Sequence, residues 1–158
     1  MKPFLDTTIV VYAAEPGDGL RSLQARGLIA RFSPSDLTVS TQVLAETYNV
    51  LVKKRRVLHR DALAVVNMLR GMCVWVPGAD AVQRALELAG DHTLSTWDAM
   101  LLQAAMDAGC DTFFSEDLQA GRRFGALDIV NPFEAAAHEP AAAAVAPAPR
   151  KRRAPARR

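Results

Sequence analysis

The stretch Phe4-Leu5-Asp6-Thr7-Thr8 places one carboxylate between two apolar residues and two hydroxyl residues. An apolar run continues over residues 9–13, so the pattern predicts a short buried strand, a turn that carries Asp6, and the start of a helix. Ligands of open α/β sheets bind outside the carboxyl ends of the strands, which makes Asp6 a candidate functional acid. An Asp in front of a helix is also a common N-terminal cap. The acids later in the chain therefore decide between the two interpretations.

The composition is that of an ordinary globular protein. Hydrophobic residues make up 50% of the 158, which is enough for one domain with a sizeable core. No uninterrupted apolar run approaches the roughly 20 residues that cross a bilayer, and the start of the chain lacks the apolar segment of a secretory signal. Cys73 and Cys110 form neither a disulfide framework nor a zinc-binding spacing. These features predict a cytoplasmic protein that is not embedded in a membrane.

The net charge of +2 conceals an uneven distribution. Residues 139–158 hold 6 basic residues and 1 acid, so the 19 basic and 17 acidic residues of the whole chain leave 13 and 16 for residues 1–138, a charge of −3. Alanine and proline dominate from Ala135 onward, before the basic residues begin. We therefore predict a folded domain over residues 1–134 and a disordered, Ala/Pro-rich basic tail over residues 135–158.

Short apolar segments alternate with helical patterns along the folded part. The predicted strands are residues 4–5, 37–40, 74–76, 111–115 and 127–130, and the predicted helices after the first are residues 18–32, 42–56, 59–72, 80–89 and 93–108. Residues 90–92 are predicted to form a turn. Such alternation indicates an α/β protein with a central, mainly parallel sheet of four to five strands.

Four acids recur where a parallel sheet would gather them. Asp6 and Asp117 follow the first and fourth predicted strands. Asp98 lies in the first turn of the helix that leads to the fourth strand, and Glu46 lies one turn into the helix after the second. A parallel sheet with crossover helices brings all of these positions to one edge. Asp98 has a second interpretation, because Ser95 and Asp98 have the spacing of a helix capping box.

Carboxylates that converge repel one another, so they either take up protons or bind a cation. The chain offers no Cys or His cluster for zinc, and carboxylate and water oxygens suit Mg²⁺ or Mn²⁺. An ion held in this way activates water, takes up charge on a phosphate and helps the leaving oxygen to depart. The pattern therefore favours phosphodiester cleavage. Hydroxyls close to the acids are available to hold them or a water in place, namely those of Thr7, Thr8 and Ser115.

Four short motifs carry a family resemblance: Phe4-Leu5-Asp6-Thr7, Val43-Leu44-Ala45-Glu46-Thr47-Tyr48, Trp97-Asp98-Ala99 and Ser115-Glu116-Asp117-Leu118. In their order and spacing, over about residues 2–133, the chain resembles the PIN-domain nucleases, and among them the VapC-type toxins of type II toxin–antitoxin pairs. The resemblance implies a PIN-like α/β/α sandwich over residues 1–134. It also implies an endoribonuclease that needs Mg²⁺ or Mn²⁺ and cleaves single-stranded RNA.

The resemblance assigns a role to each acid. Asp6, Asp98 and Asp117 would hold the metal ion, and Glu46 would hold a metal-bound water or a second ion. Glu116 competes with Asp117 for the fourth place, and Asp117 is preferred because the motif match puts it there. Family members are typically inhibited by a small antitoxin and commonly form homodimers.

Further residues are candidates for contact with RNA. Thr8 stands where the family often has Asn or Ser, so an oxygen is kept and an amide donor is lost. The other candidates are Ser115, Lys53, Lys54, Arg55, Arg56, Arg122 and Arg123. The basic run at residues 53–56 is equally explained as cations at a helix C-terminus. Two alternatives to the toxin stay open: a catalytically idle PIN-like module that binds RNA or a partner, and an RNA-maturation nuclease without an antitoxin.

Truncation after Ala137 tests the role of the basic tail. Lys and Arg side chains that contact phosphates release counterions from RNA. We therefore expect the truncated protein to bind single-stranded RNA more weakly and with a shallower salt dependence, measured as affinity over a series of salt concentrations. Unchanged affinity and an unchanged salt slope would show that the tail does not contribute.

Overall fold

A central sheet organises residues 1–134, the part of the chain that the computed structural model describes. Its six strands are β1 (Pro3–Leu5), β2 (Thr38–Ser40), β3 (Cys73–Trp75), β4 (Thr112–Phe114), β5 (Arg123–Phe124) and β6 (Leu127–Val130). Their spatial order is β3-β2-β1-β4-β6-β5, and all neighbours pair in parallel except β5 and β6. The first strand therefore lies inside the sheet, between β2 and β4. The tail predicted for residues 135–158 lies outside the described residues.

Helices cover the sheet and connect its strands. Within the described residues they are α1 (Thr7–Ala14), α2 (Leu20–Ile29), α3 (Thr41–Lys53), α4 (His59–Leu69), α5 (Ala79–His92) and α6 (Thr96–Asp107), with a short 3-10 helix at Pro34–Asp36. Helix α1 packs on α2 and α3, α3 packs on α4, and α5 packs on α6. This architecture confirms the predicted α/β/α sandwich. No helix in residues 1–134 is long and apolar enough to span a membrane.

Some local features differ from the prediction. The helix predicted over residues 93–108 begins only at Thr96. The antiparallel strand β5 raises the strand number to six instead of four to five; two residues are too few to show an alternating pattern. Residues 90–92, predicted as a turn, are the last turn of α5, and the helix ends at Thr93, whose φ is 54°. A non-glycine residue in this left-handed region marks the end of the helix without the glycine that the sequence pattern relies on.

Side-chain caps start the helices that carry the predicted acids. Asp6 accepts a hydrogen bond from the Thr7 N–H at the start of α1. Ser40 caps α3 by accepting from the Val43 N–H, and Ser95 caps α6 by accepting from the Asp98 N–H. Each cap satisfies a backbone donor that would otherwise lack a partner. The cap fixes where each helix begins, and thereby where the acids in its first turns are placed.

The core is anchored by an aromatic stack between the two central strands. The rings of Phe4 on β1 and Phe113 on β4 are 5.2 Å apart between centroids and 10° from parallel. Both side chains are 0% exposed, because β1 and β4 pair in register at this position and helices cover both faces. The stack fixes β1 against β4, and therefore fixes the two strand ends beyond it.

Replacement of Phe4 by Ala tests this anchor. Removal of a fully buried ring leaves a cavity, so we expect the free energy of unfolding to fall by about 3–5 kcal/mol in urea denaturation. Met68 on α4 is 73% exposed and provides the control, since Met68→Ala should change stability by less than about 0.5 kcal/mol. A loss below about 1 kcal/mol for Phe4→Ala would contradict the central role of the stack.

Candidate active site

Asp6 lies directly after β1 and is buried, with 7% of its surface exposed. Its Oδ1 accepts the Thr7 N–H at 2.6 Å, and its Oδ2 accepts the Ser115 hydroxyl at 2.6 Å. The Thr8 hydroxyl is a third, more distant donor, 3.4 Å from Oδ2. Asp6 is therefore a helix cap and a tightly held acid at the same time, so the two interpretations of the sequence are compatible.

Ser115 connects Asp6 to the loop that carries Asp117. Its side chain is 0% exposed, and its hydroxyl group donates a hydrogen bond to Asp6. The hydroxyl oxygen also accepts hydrogen bonds from the N–H groups of Asp117 at 3.1 Å and Leu118 at 3.3 Å. This buried hydroxyl has three partners and holds the site together, as the sequence predicts for the hydroxyls near the acids; contact of Ser115 with RNA stays a prediction.

Glu46 projects from α3 toward the same strand ends. The Thr7 hydroxyl donates to its Oε2 at 2.7 Å, and the Gln42 side-chain amide donates to its Oε1 at 2.8 Å. The same amide also lies 3.2 Å from the Trp97 carbonyl oxygen, in front of α6. Thr7 thus links Glu46 to Asp6 through one residue, and Gln42 links Glu46 to the helix that carries Asp98. Sequence reasoning missed Gln42, although its position four residues before Glu46 on one helix face signals the contact.

Asp98 lies in the first turn of α6, where it forms the predicted capping interaction. The Ser95 hydroxyl oxygen accepts the Asp98 N–H at 3.1 Å and lies 2.7 Å from Asp98 Oδ2, to which it donates. Asp98 is joined electrostatically to the rest of the site, because its charge contributes to the raised pKa of Asp117. It is therefore close to Asp117 without a hydrogen bond between the two.

The electrostatics of the site are those of crowded acids. Burial raises the pKa of Asp6 to about 6; the hydrogen bonds from Ser115 and Thr7 oppose the rise, and the charges of Asp117 and Glu46 add to it. Burial also raises the pKa of Asp117, and the charges of Glu116 and Asp98 raise it further. Asp6 and Asp117 are thus each raised in pKa by the charges of two other acids. A cation at this edge of the sheet would relieve that repulsion.

The donor set fits Mg²⁺ or Mn²⁺ bound partly through water. The acids and hydroxyls supply only oxygen ligands, and Mg²⁺ usually keeps several waters and uses one or two carboxylates. Within residues 1–134 no three acidic, His or Cys side chains come close enough together to hold an ion by themselves. The four predicted acids are thus brought to one region and connected through Thr7, Ser115 and Gln42, but their carboxylates do not converge on one point.

Glu116 and Asp117 are neighbours in the chain but have different partners. Arg21 forms an ion pair with Glu116 at 2.5 Å, and the Glu116 side chain is 17% exposed. Arg21 also donates to the Tyr12 hydroxyl at 2.9 Å and lies over the Tyr12 and Phe133 rings. The charge of Glu116 is therefore compensated by Arg21, although it still contributes to the raised pKa of Asp117. The ion pair supports Asp117 over Glu116 as the fourth acid.

The basic residues predicted to contact RNA also differ in whether an acid is paired with them. Arg55 is paired with Glu15 at 2.7 Å, whereas Lys53 and Arg56 are exposed and have no side-chain contact with the acids within the described residues. Lys54 lines a cleft of about 290 Å³ with Thr7 and Thr8, next to the site. Its positive charge opposes the rise in the pKa of Asp117 that burial causes. Lys54 is therefore the cation of this run closest to the acids.

Arg122 and Arg123 lie at the antiparallel edge of the sheet. Arg122 stacks 4.8 Å from the Phe124 ring centroid and lies 3.4 Å from His92 Nδ1. Arg123 is paired with Asp128 at 3.2 Å. Neither side chain contacts any of the four acids in the part of the chain that the structure describes.

Comparison with known proteins identifies the architecture. The sequence matches the PIN domain over residues 4–124. A crystal structure of VapC20 from Mycobacterium tuberculosis, described as a sarcin-ricin-loop-cleaving toxin, is 27% identical with a TM-score of 0.62 and covers 73% of this chain and 91% of its own. A toxin–antitoxin complex from Klebsiella pneumoniae is 18% identical with a TM-score of 0.62 and covers 82% and 97%. VapBC2 from Rickettsia felis, bound to promoter DNA, is 18% identical with a TM-score of 0.59 and covers 82% and 97%. No curated protein matches the sequence.

The raised pKa of Asp6 predicts how stability depends on pH in metal-free buffer. The pKa of Asp6 is about 6 in the folded protein and 3.8 in the unfolded chain, so protonation of Asp6 favours the folded state. This contribution to the free energy of unfolding is complete below pH 3.8 and is lost as the pH rises through 6. The loss corresponds to about 3 kcal/mol. Asp6→Asn should therefore be more stable than the natural protein at pH 7.5, and the difference should shrink toward pH 4, measured by urea denaturation with EDTA.

Asp128→Asn is the matched control for this experiment. Its side chain is 56% exposed and paired with Arg123, so its effect on stability should vary little over the same pH range. An Asp6→Asn variant with the same pH profile as the natural protein would contradict the assignment of the raised pKa to Asp6.

Proposed function

The chain belongs to the PIN domain family, and on that premise we propose that it is a metal-dependent endoribonuclease, the toxin of a toxin–antitoxin pair. The observation that carries the proposal is the hydrogen-bonded arrangement in which Ser115 joins Asp6 to the Asp117 loop and Thr7 joins Asp6 to Glu46. Acids arranged in this way, with only oxygen ligands, suit the cleavage of a phosphodiester by a hydrated divalent ion.

Asp6, Asp98 and Asp117 are the proposed metal-holding acids, either directly or through water. When bound there, Mg²⁺ or Mn²⁺ supplies charge that activates water and stabilises the transition state at phosphorus. Ser115 and Thr7 keep Asp6 in one orientation, so it does not have to reorganise when substrate arrives. Glu46 is held by Thr7 and Gln42, and we assign it the role of accepting a proton from the attacking water.

Single-stranded RNA is the proposed substrate. VapC20, a 27% identical neighbour, is described as a toxin that cleaves the sarcin-ricin loop, and this supports RNA over other phosphodiesters. Lys54 is the proposed contact for the RNA backbone beside the acids, with Thr8 next to it in the same cleft. Lys53, Arg56 and Arg122 make no side-chain hydrogen bond or ion pair with the four acids within the described residues, and we propose that they contact more distant phosphates.

A cognate antitoxin is the proposed partner, in line with the toxin–antitoxin complexes that share this fold. We also propose a homodimer and a cytoplasmic site of action, where cellular RNA is accessible. A maturation nuclease would have the same acids and no antitoxin. A catalytically idle binding module would need no oriented acids, and the two hydrogen bonds that fix Asp6 at 2.6 Å argue for chemistry.

Replacement of the acids tests the nuclease itself. Asp6→Asn removes a metal ligand without introducing a new buried charge, so we expect cleavage of single-stranded RNA in Mg²⁺ or Mn²⁺ to fall to the level seen in EDTA. Asp98→Asn should do the same and also cost about 0.3–1 kcal/mol of stability, because the N-terminus of α6 loses a negative charge that is bonded to Ser95. Gel analysis of a mixed RNA pool, with circular dichroism of each variant, provides the measurement.

Asp128→Asn, at an exposed acid on β6, should cleave like the natural protein. Cleavage that persists in EDTA, or in folded Asp6→Asn, would rule out the proposed mechanism.

Exchange of neighbouring lysines tests the RNA contact. Lys54→Gln should raise the KM for RNA several-fold. The slope of log affinity against log salt concentration should become shallower by about 0.7, the value for one lost phosphate contact on a single strand. Lys53→Gln, one residue away and also exposed, should have a clearly smaller effect. Lys54→Arg should restore affinity. Equal effects of the two Gln variants would show that only the net charge of the helix end matters.

A further inference from the structure

A large open cleft lies beside Glu46, between α3 and the start of α6. Its volume is about 800 Å³. Leu44, Tyr48 and Val66 contribute apolar and aromatic surface, Gln42 and Asn49 contribute side-chain amides, and Trp97 contributes an indole ring. No Lys or Arg is among the residues that line it, and Glu46 places negative charge at one side. The cleft is therefore unsuited to a phosphate and suited to a flat, uncharged group with polar edges.

Trp97 combines an exposed aromatic side chain with a backbone that is hydrogen-bonded to a residue of the site. It is 63% exposed, and its carbonyl oxygen accepts the Gln42 amide that also donates to Glu46. Asp98 follows it directly in the chain. The Trp97 backbone is thus fixed beside Glu46 and Asp98, and its side chain lines the cleft. An exposed indole at such a place provides a stacking surface at a defined distance from the site.

We propose that this cleft binds a nucleobase of the RNA substrate adjacent to the scissile phosphate, stacked on Trp97, with the amides of Gln42 and Asn49 reading its edge. The inference rests on the proposed nuclease function and deepens it. Splayed bases of single-stranded RNA are recognised by stacking on aromatic rings and by hydrogen bonds to their edges. The amide nitrogen of Gln42 donates to Glu46 and to the Trp97 carbonyl, and the amide oxygen is available to accept a hydrogen bond from a base.

Continuity with the acids favours a nucleobase over another occupant. The cleft opens at Glu46, so an RNA strand held at the acids would bring its neighbouring base to the cleft without leaving the site. A second copy of the chain is the competing occupant, because Leu44 and Val66 also offer apolar surface. The two occupants make different predictions for the environment of Trp97.

Fluorescence of Trp97 distinguishes them. The chain has only two tryptophans, so Trp75→Phe leaves Trp97 as the only one, and Asp6→Asn prevents cleavage during the titration. Short single-stranded RNA should quench the Trp97 emission, whereas an abasic oligonucleotide with the same number of phosphates should not. Equal quenching by both, or no quenching by RNA that binds, would overturn the proposal. The proposal would also be overturned if the emission changed when the protein concentration was raised without RNA and Trp97→Ala had a lower mass in light scattering. That result would identify a second copy of the chain as the occupant.

Steady-state kinetics of the otherwise natural protein provide the second arm. Trp97→Ala should raise the KM for RNA by about tenfold or more and leave kcat within about threefold, and Trp97→Phe should recover most of the loss. Leu86→Ala, a 51% exposed apolar residue on α5, should change neither value. Cleavage by the natural protein with an unchanged KM in Trp97→Ala would overturn the base site alone. Absence of cleavage by the natural protein would instead overturn the proposed function.

Discussion

The hydrogen bond from the Ser115 hydroxyl to the Asp6 carboxylate is the contact on which the rest of the site depends. It spans 109 positions of sequence and 2.6 Å of space. The bond is possible because β1 and β4 pair in register, Leu5 opposite Phe114, and because the Asp6 N–H donates to the Phe114 carbonyl at 3.0 Å. The register therefore places Asp6 beside Ser115 at the edge where both strands end.

From this bond the site extends in two directions. Ser115 accepts the backbone N–H groups of the Asp117 loop, and Thr7, the residue after Asp6, holds Glu46 on α3. Burial keeps Asp6 prone to protonation, with a pKa of about 6, so its carboxylate is costly in the absence of a cation. The same burial that destabilises the ionised acid strengthens its interaction with a bound ion, since water does not screen the charges. Stability and the proposed function are thus in opposition at Asp6, as is common where acids are held for catalysis.

Much of this arrangement could be predicted from the sequence, for identifiable reasons. Strand-end acids such as Asp6 and Asp117 follow directly from apolar runs, and the caps at Ser40 and Ser95 have local spacing rules. Contacts between distant segments could not be predicted. The burial of Ser115, the diversion of Glu116 to Arg21 and the approach of Lys54 all depend on how helices and loops pack against the sheet. The two-residue strand β5 was missed because it carries no periodic signal of its own.

Binding of Mn²⁺ measured by electron paramagnetic resonance tests whether the acids form a metal centre, because free Mn²⁺ gives a signal that a bound ion loses. At pH 7.5 we expect the purified natural protein to remove the free signal with a defined stoichiometry. We expect Asp6→Asn and Asp117→Asn to weaken this binding strongly and Asp128→Asn to leave it intact. Equal Mn²⁺ binding by the natural protein and folded Asp6→Asn would contradict the assignment of these acids as a metal centre. Absence of any Mn²⁺ binding by the natural protein would do the same.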